Sequence, residues 1–198
     1  MQPDGGIVVS GNANEDFALA RYTWAGELDT TFNGTGTITT DFGPSSEAIT
    51  AVYVQPDGRL LAYGRHIGAS GYTYALARYL PDGRLDESFG EHGLLISTIG
   101  AARAVTIQPD GRIVIAGPTD FSDCAHAQTR DIIMGRYNPD GSVDTTFASR
   151  GQMRIDFQDG QDDPRYLMIE PRSQKLLLFA ISARASKTFL VEARYLSK

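Results

Sequence analysis

The sequence predicts an all-β chain: a β-propeller built from four-stranded antiparallel blades, about four to the chain, with the terminal ones incomplete. Three observations carry that expectation. Blocks of sequence recur in fixed order through the 198 residues, and such periods mark repeat architectures. Within each unit, apolar and polar residues alternate with a period of two between turn signals. The 21 glycines and 9 prolines supply many turns without reaching low-complexity levels.

The first block is Gln-Pro-Asp-Gly followed by a short apolar run and a glycine. It opens at Gln2, Gln55 and Gln108, both steps being 53 residues, and ends at Gly11, Gly64 and Gly117. A degenerate copy covers residues 170–180. The second block, Ala18-Leu19-Ala20-Arg21-Tyr22, returns at residues 75–79, 133–137 and 191–195. The third, Leu28-Asp29-Thr30-Thr31-Phe32, returns at 85–89 and 143–147, with Gly36, Gly93 and Gly151 beyond it. In the second unit, residues 48–54 form a β-prone run, Pro56-Asp57-Gly58 turns the chain, and residues 60–63 lead back as a hairpin arm. Residues 74–79 alternate, Pro81-Asp82-Gly83 turns again, and residues 93–98 give the fourth strand. No helix of ordinary length fits between these elements. One repeat domain spans residues 1–198, with units at 1–47, 48–102, 103–163 and 164–198.

These three blocks, in this order, resemble the delta-60 repeat, a bacterial tandem repeat regarded as a β-propeller of unknown function. The resemblance covers essentially the whole chain. It implies the blade fold and a place within large surface or secreted bacterial proteins, and it implies no reaction and no catalytic residues. The fourth unit departs from the pattern, because Glu170-Pro171-Arg172-Ser173-Gln174-Lys175 replaces the tight turn. That departure suggests a terminal, capping repeat.

Charge and composition narrow the partners. A net charge of −6 offers nothing to neutralise phosphate backbones or anionic lipid. Nucleic acid is not an expected partner. The longest apolar stretch, residues 176–183, is too short to cross a bilayer as a helix, and Met1 is followed by no basic and apolar leader. The single Cys124 cannot form an internal disulfide and leaves the compartment open.

The recurring Arg21, Arg78, Arg136 and Arg194 are the most informative polar signal. Alternation places Arg21 on one strand face with Phe17 and Leu19, where a guanidinium needs an acceptor. Asp29, Asp86 and Asp144 lie eight residues beyond the first three arginines. A constant spacing predicts one repeated contact, a staple that orients each corner. A repeated ligand site is the other reading, and a cap on its own turn is an alternative role for the same Asp. Tyr22, Tyr79, Tyr137 and Tyr195 fall on the opposite face, either as packing between blades or as stacking platforms for a carbohydrate or protein ligand. Phe32, Phe89 and Phe147 read as core plugs.

Irregular segments point elsewhere. The third unit carries a long insertion in which Asp120, Asp123, Cys124 and His126, with Asp131 after it, include the ligand types that transition metals favour. A solvated loop is the plainer account, since no paired Cys or His motif completes a tetrahedral site. Asp156, Asp159, Asp162 and Asp163 form an acidic stretch able to hold a hard cation, although its spacing is not that of an EF-hand. His66 and His92 are isolated in sequence and are expected to be exposed. No nucleophile motif, dinucleotide loop or phosphate loop is present, and no cofactor is expected. The leading functional expectation is a non-catalytic binding or assembly module. The alternative is a hydrolase or lyase whose residues gather at a central channel.

The strand count adds an expectation about assembly. With strands labelled a to d, the chain reads bcd, abcd, abcd, abc, so the first unit presents an uncovered edge. Two chains are expected to associate as half-rings about a twofold axis, residues near Ile7 to Ser10 of one facing those near Val191 to Tyr195 of the other. A lone disc and a piece of a longer array compete with that arrangement.

Overall fold

A computed structural model describes residues 1–68, 71–97, 102–119, 130–157, 161–184 and 187–195. All regular structure among them is β-strand. The strands are β1 (Ile7–Ala13), β2 (Asp16–Tyr22), β3 (Thr37–Thr40), β4 (Ser46–Val54), β5 (Leu60–Gly68), β6 (Gly71–Tyr79) and β7 (Leu94–Ile96). They continue with β8 (Ala104–Ile107), β9 (Ile113–Pro118), β10 (Ile132–Tyr137), β11 (Gln152–Ile155), β12 (Gln161–Ile169), β13 (Leu176–Arg184) and β14 (Lys187–Tyr195). No helix of the described residues is long and apolar enough to cross a membrane.

The strands pair as four antiparallel sheets in the orders β1-β2-β3, β4-β5-β6-β7, β8-β9-β10-β11 and β12-β13-β14. Each sheet is one blade. Two compact units divide the chain, Met1–Ser97 with the first two blades and Thr98–Lys198 with the last two.

Register repeats as faithfully as sequence. The recurring arginine pairs with the second residue of the preceding strand in all four sheets: Val8 with Arg21, Leu61 with Arg78, Val114 with Arg136 and Leu177 with Arg194. The turn that leads into the first three of these preceding strands, joining β4 to β5 and β8 to β9, is built from Gln-Pro-Asp-Gly. The glycine N–H donates to the Gln carbonyl at 3.0, 2.9 and 2.9 Å in the three copies, with Gly5, Gly58 and Gly111 in the left-handed region that a side chain would resist. The Asp carboxylate accepts from the N–H two residues on, at 2.9 to 3.0 Å. In the fourth copy the turn is wider: Gln174 N–H donates to the Glu170 carbonyl at 2.8 Å and Gln174 itself is left-handed. Loss of the glycine thus changes the turn and leaves the hairpin register intact.

Each unit has its own core. Phe17, Leu19, Phe32, Leu60 and Tyr79 anchor the first, and Val114, Ile132, Met134, Leu176 and Leu178 the second. Alternation along β2 is strict, with Phe17, Leu19 and Arg21 buried and the intervening residues half-buried. Phe32, Phe89 and Phe147 are buried beneath their corners. The innermost strands β4 and β12 each carry a bulge at the same repeat position, between Ile49 and Ala51 and between Pro164 and Tyr166. Pro164 is accommodated because a bulge relieves the ladder of its missing N–H.

Candidate functional site

The corner residues form one arrangement three times. Arg21, Arg78 and Arg136 each donate from Nε to Oδ2 of Asp29, Asp86 and Asp144 at 2.8 Å. The Asp N–H returns a bond to the carbonyl of the same arginine, at 2.9 to 3.0 Å. Each guanidinium also lies over the corner phenylalanine, 4.9, 4.6 and 4.7 Å from the ring centroids of Phe32, Phe89 and Phe147. Oδ1 of each aspartate accepts from the hydroxyl and N–H of Thr31, Ser88 or Thr146. Corner contact and turn cap therefore coexist, one on each carboxylate oxygen. A second arginine reaches two of the three: Arg59 Nε lies 3.0 Å from Asp86 Oδ2, and Arg112 Nε 3.1 Å from Asp144 Oδ2. Gly6 stands at that repeat position in the first blade.

Electrostatics follow from these partners. The Thr31 hydroxyl and N–H, more than Arg21, hold the Asp29 carboxyl below the usual carboxylate range. Burial pushes Asp86 and Asp144 up, but the hydroxyl and N–H of Ser88 or Thr146 and the guanidinium of Arg78 or Arg136 outweigh it, so both are lowered. The side chain of Arg194 lies outside the described residues.

The tyrosines divide. Tyr79 is fully buried with its hydroxyl 2.6 Å from Thr40 Oγ1, and Tyr137 is buried too. Tyr22 is half-buried and keeps part of its ring available. The side chain of Tyr195 lies outside the described residues, as do Asp120, Asp123, Cys124 and His126 of the long insertion.

Two groups of carboxylates come together between blades, and only Asp131, Asp156 and Asp162 of the second stand out in the sequence. Asp16, Asp41 and Glu47 each offer a carboxylate oxygen, all within 4.8 Å of one another, and Asp131, Asp156 and Asp162 do the same. The groups are repeat equivalents. Asp16 and Asp131 directly precede Phe17 and Ile132, and Asp41 and Asp156 lie five residues beyond Gly36 and Gly151. Glu47 N–H donates to the Glu15 carbonyl and Asp162 N–H to the Arg130 carbonyl, both at 2.7 Å. Aligning the repeats residue by residue would have exposed the coincidence. The acidic stretch seen in the sequence is instead divided: Asp156 and Asp162 join the second group, Asp163 forms ion pairs with Arg103 and Arg165, and Asp159 lies outside the described residues.

The two described histidines take different carboxylates. His66 is not exposed as expected: its side chain is 12% exposed because Nδ1 turns in to lie 2.8 Å from the buried Glu47 Oε1, whereas His92 is exposed, with Nδ1 2.8 Å from Glu87. Glu87 raises the pKa of His92.

Comparison with known proteins assigns the repeat. No curated protein matches the chain. Among solved structures, a GH43 β-1,3-galactosidase with galactodeoxynojirimycin is similar at 8% identity and a TM-score of 0.45, over 96% of this chain and 72% of that one. A likeness of that degree bears on neither activity nor ligand. The DUF5122 β-propeller family, a domain of unknown function, matches residues 2–32, 55–89 and 108–147. Those segments run from the glutamine of each turn to the phenylalanine of each corner and make up more than half of the sequence. The chain belongs to the DUF5122 β-propeller family.

Proposed function

We propose that this chain is a non-catalytic propeller module that acts by assembly, its β1 edge accepting an antiparallel strand from a second copy. The Arg-Asp corners serve as staples within blades, because a residue that every blade carries meets a need of every blade.

The observation that carries the reading is the contrast between Gly11 and Gly64, the same position of the first block. A Cβ on Gly64 would lie 2.1 Å from the Ala48 carbonyl oxygen, so the glycine is needed for β4 to cross β5. A Cβ on Gly11 meets nothing within 4 Å among the described residues. The first blade thus keeps a glycine shaped for a covering strand. Around it, Ile7 and Val9 of β1 are exposed, whereas Leu60, Leu61 and Ala62 of β5 are fully buried. An edge of this kind is a template for strand addition, and β14 adds an exposed Leu190 at the other terminal sheet.

Light scattering at micromolar concentration tests the proposal. Association gives twice the 21.5 kDa mass of one chain, and Gly11→Val, which fills the space a covering strand needs, returns it to one chain without unfolding it. A wild-type mass of 21.5 kDa at every concentration refutes the reading.

A further inference from the structure

The geometry points to a divalent-cation site at Asp16, Asp41 and Glu47, with a weaker equivalent at Asp131, Asp156 and Asp162, and we propose Ca2+ as the ion. The inference is independent of the assembly reading. Three carboxylates held close together repel one another unless a cation or proton joins them. A second feature separates these groups from ordinary surface acids. Glu47 is 1% exposed; its Oε1 accepts from Ser45 Oγ at 2.5 Å and faces His66 Nδ1, while Oε2 is buried with no hydrogen-bond partner among the described residues. Asp162, also 1% exposed, repeats this: Oδ2 accepts from Phe157 N–H at 2.8 Å, and Oδ1 is buried without a hydrogen-bond partner among the described residues. Each buried carboxylate therefore has one oxygen tied down by the protein and one left over in a group of acids. Leaving a buried acceptor unsatisfied once is costly, and twice at equivalent positions calls for a common ligand.

Ligand type and spacing choose the ion. The donors are carboxylate oxygens, which suit hard cations. Oxygens within 4.8 Å of one another can share one Ca2+, whose ligands stand about 2.3–2.6 Å from the metal. Asp41 is exposed and Asp16 half-buried, giving an entry side from which water completes the coordination. Ser182, cross-strand neighbour of Asp162, occupies the register of His66 opposite Glu47, and its hydroxyl is also buried without a partner among the described residues.

The competing groups differ: an imidazole, His66, lies beside Glu47 at the first site, and an always-charged guanidinium lies at the second. Arg154 Nε pairs with Asp131 Oδ2, and its side chain is 72% exposed, so it can leave. Thr39 stands at that repeat position in the first blade. The first site should therefore bind Ca2+ more tightly.

The test is calorimetric titration of the EDTA-treated full chain with CaCl2 to about 5 mM, above the roughly 0.1–1 mM range of weak Ca2+ modules, alongside thermal melts. Two ions per chain are expected, with a melting temperature raised by roughly 3–6 °C at tenfold excess over the dissociation constant. Asp41→Asn, on the exposed side and harmless to folding, and Glu47→Gln should each weaken the tighter site at least tenfold. Arg154→Ala should strengthen the other at least threefold. Absence of heat and melting shift at 5 mM, binding indifferent to both Asp41→Asn and Glu47→Gln, or a response to ZnCl2 alone that His66→Gln abolishes would each overturn the assignment.

Discussion

Arg78 Nε donates to Asp86 Oδ2 at 2.8 Å, and Arg59 Nε meets the same oxygen at 3.0 Å from the partly exposed side. The buried corner thus has a primary cation and a reserve. Arg78→Ala should cost less than the roughly 3–5 kcal/mol typical of breaking a buried pair, because Arg59 keeps the carboxylate partnered. Arg59→Ala alone should cost less than about 1 kcal/mol, as exposed pairs do. Removing both strands the carboxylate, so the double variant should exceed the sum of the singles by about 1 kcal/mol or more. Urea denaturation of the four proteins closes the cycle, and strictly additive costs would show that the arginines do not share the load.

Acid sensitivity follows from the same corners. The carboxyls of Asp29, Asp86 and Asp144 are lowered in the folded chain, so folding binds them preferentially as carboxylates. Their contribution is whole above the unfolded value near 3.8 and is lost as pH falls through the depressed folded values. Stability in urea should hold from pH 6 to about 4 and decline below it. Asp86→Asn should be less stable at pH 6 and show a shallower decline. His92 works in the opposite sense: its folded pKa is raised, so its small contribution is present below the unfolded value near 6.5 and fades as pH rises through the folded value.

The corner contact was legible in the sequence because it is local. Eight residues separate Arg21 from Asp29, and strand alternation alone places the guanidinium on the buried face with Phe17 and Leu19. The blades were legible for the same reason, since the Gln-Pro-Asp-Gly turns at Gln55 and Gln108 each join two neighbouring strands into a hairpin. Tyr79 was only half legible: its strand face could be read, but its burial against Thr40 depends on β3, β6 and their neighbours packing together. Of the carboxylate groups, only the acidic stretch that holds Asp156 and Asp162 was legible, and the first group was not. Asp16, Asp41 and Glu47 come from two successive blades and meet only when Glu47 N–H docks on the Glu15 carbonyl. Their recurrence is also partial, because Thr73 occupies the place of Asp16 in the second blade.

At the other end of the pH scale, burial raises the Tyr79 hydroxyl to about 12 even though its bond with Thr40 acts the other way. The neutral phenol is favoured by folding, so this contribution is intact below the unfolded value near 10.0 and is lost as pH climbs from there through about 12. Ultraviolet titration of tyrosinate should show Tyr79 ionising only with unfolding. Tyr79→Phe should remove that late component and cost about 1–3 kcal/mol at neutral pH, because the buried Thr40 hydroxyl loses its partner. A late component that survives in Tyr79→Phe would place it on another tyrosine.

Repeat-equivalent glycines should respond oppositely to one added methyl group. Gly64 lies where β4 crosses β5, and the new Cβ would fall 2.1 Å from the Ala48 carbonyl oxygen and 2.7 Å from the Ile49 Cα, backbone atoms that no rotamer change can move. The bulge between Ile49 and Ala51 fixes that approach, so the strand must detach or distort. Gly64→Ala should therefore cost at least about 3 kcal/mol, at the upper end of overpacking penalties. Gly11 occupies the same place in the first block, yet nothing described lies within 4 Å of its would-be Cβ, and its φ is not in the left-handed region. In dilute protein Gly11→Ala should be neutral or gain up to about 1 kcal/mol, because alanine loses less backbone freedom than glycine on entering a strand. At concentrations where chains associate, the same variant should dissociate them, since a strand crossing β1 as β4 crosses β5 meets the methyl group. Paired measurements of unfolding and mass across a dilution series separate these effects. A destabilised Gly11→Ala in the dilute limit would mean that its backbone is already covered within one chain.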